Sequence, residues 1–456
     1  MRLITENKIS LLTSVSVISA LLFLLIGLLA GLASSLQYIF PDFLKSSLPF
    51  SHLRPIHTSL VISWIVMAAC GGIYFYLREI KGNELKFQRF GWLQVIMFIT
   101  ANIIACCAYA FGYFGGREYL EFHPSIAIPL LVSWLAFGIF FVKNTAEVRK
   151  NPPVYIYMWI TGIVFFILTL TESQLWLFRH FSGNPVRDVT VQWKALGMMV
   201  GSWNMLVYGT AFYLLVRISG DENSARSGKS FFFYFLGFIN LLFNWGHHTY
   251  VVPASPWIKN IAYIISMTEL IILFRIIWEW KQSLRESAKH LHLMSYRFIM
   301  AADVWIFINL ILAIGISVPW VNSFTHGTHI TVAHAMGATI GINCMILFAS
   351  LIYIQEKVNS SVISGKRKSL NAGFFVSNFS LFVFWMALLA AGMQNIINRN
   401  EMHFGLLKSL LLPYYKVLFF SGAMLFIGLL FLILPLISLY IQRKYQISNN
   451  LSFSQL

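Results

Sequence analysis

The chain is 456 residues long, 58% hydrophobic and only 11% charged, with a mean hydropathy of +0.70. That composition excludes a soluble globular domain and points to a polytopic membrane protein. A formal net charge of +16 raises the question of a nucleic-acid partner, which the distribution of the basic residues answers.

Apolar windows of spanning length predict an all-α protein with about twelve transmembrane helices, at roughly 10–36, 55–77, 92–114, 125–143, 154–175, 192–217, 230–250, 256–279, 296–320, 329–354, 372–393 and 414–442. No cleavable signal pattern precedes the first run, which is therefore read as a span. Nothing between the spans is long enough for a separate soluble domain, so residues 1–456 read as one integral membrane domain without a short-period repeat.

Placing both termini and the even-numbered connections on one side gathers most of the 33 Lys and Arg there, among them Arg78, Lys81, Lys86, Arg149, Lys150, Lys281, Arg285, Lys366, Arg367 and Lys368. By the positive-inside rule that side is the cytoplasm, with both termini inside a cell inner (cytoplasmic) membrane. The bilayer explains the charge, and no nucleic-acid patch is needed. Cys70, Cys106, Cys107 and Cys344 all sit in apolar runs, which argues against a disulfide framework or a zinc site. No CxxCH occurs, so no c-type haem is attached to this chain.

On this topology His57 opens the second span, His247 and His248 close the seventh, and His326, His329 and His334 open the tenth, all near the external face. A single histidine at a span boundary is most often an interfacial, hydrogen-bonded residue. Six gathered at one end favour a metal or haem site, because neutral imidazole is the commonest metal ligand. His334 and Met336 stand two residues apart, about 200° around one helix, so a single helix can serve two cofactors on opposite flanks. Imidazole and thioether are both axial ligands of haem iron, although a lone methionine in a membrane core is ordinarily a filler.

LRPIHTSLVISW (Leu53 to Trp64), GREYLEF (Gly116 to Phe122), GHH (246–248), SMTEL (Ser266 to Leu270) and THGTHITVAH (Thr325 to His334) together resemble the large subunit of cytochrome-c-dependent nitric oxide reductase, in the haem-copper oxidase superfamily. The matches keep their order over nearly the whole chain. The resemblance implies a subunit I-like fold, a low-spin haem b, and beside it a high-spin haem b sharing a binuclear centre with a non-haem iron or copper. His57 would be an axial ligand of the low-spin haem and His334 the proximal ligand of the high-spin haem. His247 and His248 would hold the non-haem metal, and His326 would lie near the haem edge. Glu118, beside Arg117 and Glu121, matches a carboxylate at a calcium site near the haem propionates, and Glu269 a glutamate behind the binuclear centre. A membrane-anchored cytochrome c subunit is the implied partner, and a small gas, NO or O2, the implied substrate.

Two departures from the family pattern follow. AHAM stands where the family has AHGH, so by the resemblance Met336 would be the second ligand of the low-spin haem. Leu196, Val200 and Asn204 stand where the family has its third metal histidine and two glutamates. Two histidines alone hold iron weakly, so Asn204, Tyr250 or Lys194 would have to be recruited, or another metal bound. Of the other ionisable groups in or beside the spans, Glu172, Asp303 and the pair Arg275 and Glu279 read as structural. Three readings remain open at this point: a nitric oxide reductase-like enzyme, an oxygen-reducing relative with copper, and a haem protein for electron transfer or gas sensing. Metal content and gas turnover separate them.

Overall fold

The computed structural model describes residues 9–82, 84–146, 151–253, 255–268, 293–398 and 403–453, the side chains of 404 and 443–453 excepted. Its long helices are α1 (Leu11–Ile39), α2 (Phe50–Lys81), α3 (Gln88–Ala110), α4 (Pro124–Thr145), α5 (Val154–Glu172), α6 (Pro185–Ser219), α7 (Gly228–Phe243), α8 (256–268 of its described length), α9 (Leu293–Ser317), α10 (His329–Val358), α11 (Ser360–Asn398) and α12 (Phe404–Phe453). Ten of these, among the described residues, are long and apolar enough to cross a membrane. Helices are the expected solution, since in lipid each backbone N–H and C=O must be satisfied within its own segment.

The bundle is assembled from antiparallel neighbours in close contact: α1 on α2, α3 on α4, α5 on α6 and α11 on α12, with α1 also against α12. Small residues let the backbones approach, as membrane helices require where no hydrophobic effect drives them together. Gly71 faces Val17 across α1 and α2, Gly162 faces Ser202 across α5 and α6, and Gly373 faces Leu432 across α11 and α12. One continuous buried core runs from Ile9 to Tyr440 and includes Trp64, Trp134, Trp159, Tyr76 and Tyr213.

Three predicted spans have a shape their hydropathy does not announce. The seventh is α-helical only to Phe243 and continues as a 3₁₀ turn over Asn244–Thr249. The ninth stops at Ser317, and a short helix, Pro319–Thr325, follows because Pro319 supplies a preset first turn and no N–H. The tenth is wound as π-helix over Gly337–Cys344, where Gly341 lies against Trp305 and Gly337 against Asn309 of α9. The eighth span and the pair Arg275 and Glu279 lie wholly or partly outside the described residues.

At the basic end of the bundle Glu79 of α2 pairs with Lys357 of α10 and accepts from Tyr213 of α6 at 2.7 Å, with Arg217 at 3.7 Å. Three helices are thus pinned at the end opposite the histidines.

Candidate functional site

The segment Thr325 to Thr328 forms the turn that launches α10. Gly327 takes a left-handed φ of +74°, Thr328 caps the helix by accepting from Ile330 N–H at 3.3 Å, and the hydroxyls of Thr328 and Thr331 both donate to Thr325 O. α10 is α-helical through His334 and Met336, so the two project from opposite sides.

On one flank stand the 3₁₀ histidines. The rings of His247 and His248 are 4.2 Å apart, and both residues lie within electrostatic reach of His326 and His334. His247 Nδ1 is 3.0 Å from Asn244 Oδ1, which also accepts from Ser266 Oγ at 2.6 Å. That tie leaves Nε2 of His247 as the free donor atom. His334 Nδ1 is buried without a hydrogen-bond partner, as are His329 Nδ1 and Asn309 Oδ1. Burial holds the His326 imidazole below its ordinary value.

His57 is held between α2 and α1. Its Nδ1 donates to Gly27 O at 2.8 Å, and its ring fills the space left by Gly31, where a Cβ would come within 2.6 Å of Nδ1. Trp64 Nε1–H donates to Cys344 Sγ at 3.1 Å and Tyr76 pairs with Ser350 Oγ at 2.5 Å, so α2 and α10 run side by side in the same direction. His57 precedes Trp64, and Met336 precedes Cys344, by about two helical turns. Both residues therefore lie on the outer side of the Trp64–Cys344 contact, His57 on α2 and Met336 on α10.

The α6 side of the pocket is apolar. Trp193 stacks on His248 at 5.0 Å and 10° and meets His326 edge-on at 6.4 Å. One turn further on, Gly197 lies against Trp245, with His248 beyond it. Leu196 is buried, Val200 keeps 38% of its surface, and Asn204 accepts from Asn343 at 3.0 Å. Lys194 is engaged with Glu172, and the Tyr250 hydroxyl donates to Lys259 O at 3.4 Å. All three side chains that could replace the missing ligand have other partners. Among the described residues no three His, Cys, Asp or Glu converge to cage an ion. Among the described residues the donor set fits haem iron, which takes one axial imidazole or thioether per face, and offers no third ligand to a non-haem ion held by His247 and His248.

Above the pocket Arg54 reaches Glu118 at 2.7 Å and Glu121 at 3.0 Å, while Arg117 pairs with Asp188 at 2.5 Å over the Trp176 ring. Glu118 thus sits in an ion-pair cluster, with Glu121 Oε2 buried and unpartnered beside it. Burial raises the Tyr119 phenol above its usual range, with Glu118 adding and Arg54 opposing. Tyr119 touches Trp193 edge-on at 6.3 Å, which links this cluster to the histidines. Glu269 lies outside the described residues. Asn244, Ser266, Trp193 and the Gly27 carbonyl escaped the sequence reading; only the i, i+3 spacing of Asn244 and His247 hints at one of them.

The model of the family described as Cytochrome C and Quinol oxidase polypeptide I matches residues 12–439. A nitric oxide reductase subunit from Stutzerimonas stutzeri is 22% identical over 407 residues, covering 82% of this chain and 82% of its own. A cytochrome c oxidase subunit 1 homolog of Agrobacterium tumefaciens (strain T37) is 22% identical over 89% of this chain and 79% of its own. Cytochrome c oxidase subunit 1 of Rhodobacter capsulatus is 24% identical over 81% and 72%. The fold is similar to that in a cryo-EM structure of a heme-copper terminal oxidase dimer, with a TM-score of 0.69 at 16% identity over 94% of this chain and 83% of that one.

Proposed function

Because the chain belongs to the cytochrome c and quinol oxidase polypeptide I family, we propose that it is the haem-binding integral subunit of a respiratory oxidoreductase that reduces nitric oxide. Two NO, two electrons and two protons give N2O and water. The observation that carries this reading is the end of α10, with His334 beside the paired imidazoles of His247 and His248 and with Met336 two residues on, together with His57 of α2, its Nδ1 tied to Gly27 O. The name of the Stutzerimonas relative supports NO over O2, as do the segments GREYLEF and THGT.

Bound there, two b haems would supply one-electron transfer and an open iron position for the gas. The chain's own residues would hold and orient them. The Gly27 carbonyl fixes the tautomer of His57 and leaves its Nε2 free, so that His57 and Met336 would be the residues holding the low-spin haem. His334 would hold the second haem, and His247, its Nδ1 tied to Asn244, would offer Nε2 beside it. His326 and Trp193 close the pocket edge against water. Glu269 is assigned proton delivery and Glu118 the calcium-linked carboxylate. A membrane-anchored cytochrome c subunit would deliver electrons at the histidine end, outside a cytoplasmic membrane with both termini inside, and 1–456 would be one domain.

A second reading, a haem protein for electron transfer or gas sensing, is favoured by the apolar face that α6 turns to His248. One experiment separates these readings and the oxygen-reducing one: haem and metal content of the purified protein, with N2O formation and O2 uptake measured. Two haems with N2O formed supports the proposal, whereas two haems without turnover of either gas overturns it in favour of the second reading.

A further inference from the structure

On the lipid-facing side of α11 and α12 lies a groove of about 400 Å³, lined by Lys366, Ser369, Leu430, Phe431, Leu434 and Pro435, with Ile427 and Ser438 at its two ends. Its origin is in the sequence. Pro435 has no N–H, so the carbonyl four residues before it, Phe431 O, loses its helical partner. The Ser369 hydroxyl of α11 takes that place at 2.9 Å. The proline ring and the borrowed hydroxyl leave a furrow between two helices that pack tightly further on, at Gly373 against Leu432 and Gly428 against Ser377.

The furrow is amphipathic along its length. Its walls are aliphatic and aromatic, and Leu434, Phe431 and Ile427 keep 55%, 44% and 42% of their surface. From Ser438 to Ile427 it follows about 16 Å of helix, close to half the ~30 Å hydrocarbon thickness of a bilayer. Its polar mouth holds Lys366, which has no ion-pair partner among the described residues, followed by Arg367 and Lys368. Those three belong to the face on which the chain gathers its basic residues. An apolar furrow one leaflet deep, ending at an ammonium on the basic face, has the shape and charge of a site for one anionic phospholipid.

We propose that this groove binds a single anionic phospholipid of the basic-side leaflet, its phosphate on Lys366 and one acyl chain along Leu434, Phe431 and Ile427. The site is remote from the histidines and independent of the gas chemistry. The test uses the full-length protein exchanged into mild detergent with palmitoyl-oleoyl phosphatidylglycerol or the phosphatidylcholine of the same chains, bound lipid being counted by native mass spectrometry. Phosphatidylglycerol is expected to be retained at one per chain, about fivefold over phosphatidylcholine, given what one basic residue contributes near anionic lipid. Lys366→Gln should remove that preference and Lys366→Arg restore it, while Leu430→Trp should fill the furrow and displace the lipid. The double variant Arg367→Gln/Lys368→Gln, outside the furrow, should keep most of it. Equal retention of the two lipids, or equal loss from Lys366→Gln and the double variant, would overturn the proposal by showing general surface attraction. Unchanged haem content and melting temperature in each variant show that the fold is intact.

Discussion

Gly31 is the most exacting position in the pocket. A Cβ there would stand 2.6 Å from Nδ1 and 2.8 Å from Cε1 of His57, against about 3.5–4.0 Å for ordinary contact. In Gly31→Ala the ring must therefore retreat by about 1 Å, more than its 2.8 Å bond to Gly27 O can stretch and survive. Overpacking costs about 1–3 kcal/mol, and stranding a buried imidazole N–H costs about 1–3 kcal/mol more. If only ~2 kcal/mol of this falls on ligation, low-spin haem binds roughly 30-fold more weakly. The control is Gly71→Ala, whose Cβ would meet Val17 Cγ2 at 2.9 Å in the same α1–α2 interface, far from the ring. Haem stoichiometry and reduced-minus-oxidised spectra should show the low-spin haem depleted in Gly31→Ala alone, while both variants melt earlier. A full low-spin spectrum in Gly31→Ala, or equal haem loss in both, would refute the placement of His57 as an iron ligand.

Replacing Met336 by histidine should lower the low-spin haem potential by on the order of 0.1 V, because imidazole in place of thioether favours ferric iron; an unchanged potential in redox titration would remove Met336 from the axial set. Leu196→His should add a third imidazole beside His248 and raise bound non-haem iron or copper toward one per chain, measured by elemental analysis. No gain in metal would mean that α6 at Leu196 does not face the histidine pair. At the opposite end, Glu79→Gln removes the charge shared by Lys357, Arg217 and Tyr213. With the Glu79 side chain only 13% exposed, the loss should be about 3 kcal/mol and lower the melting temperature without altering the haem spectrum.

The bundle was legible in the sequence because lipid demands about 20 apolar residues per crossing, and the runs from Leu11 to Tyr440 supply them. The neighbourhood of His247, His248, His326 and His334 was legible because imidazoles are rare in spans and these four stand at span ends on the same side of the predicted topology. What periodicity could not reveal are features made by contact between helices. The π-wound segment of α10 depends on Trp305 and Asn309 of α9 lying against its glycines, and the 3₁₀ turn of His247 and His248 depends on Asn244 and Ser266. The apolar identities of Leu196 and Val200 announced a missing ligand, but only the fold reveals that Trp193 and Gly197 form the surface the histidine pair meets.

The π-wound stretch Gly337–Cys344 has a consequence for how α10 tolerates change. Outward of it the helix presents His334 and Met336 on opposite sides; at its inner end and beyond, Cys344 and Ser350 must mesh with Trp64 and Tyr76 of α2. In an unbroken α-helix one rotation setting serves both ends, and a change made for either end would misalign the other. A π turn carries one residue more than an α turn, so the stretch works as a gear between two registers. Deleting a single residue there should let a π turn close as an α turn with both ends near their present settings, whereas the same deletion in the α-helical part of α10 should turn one end by about 100° against the other.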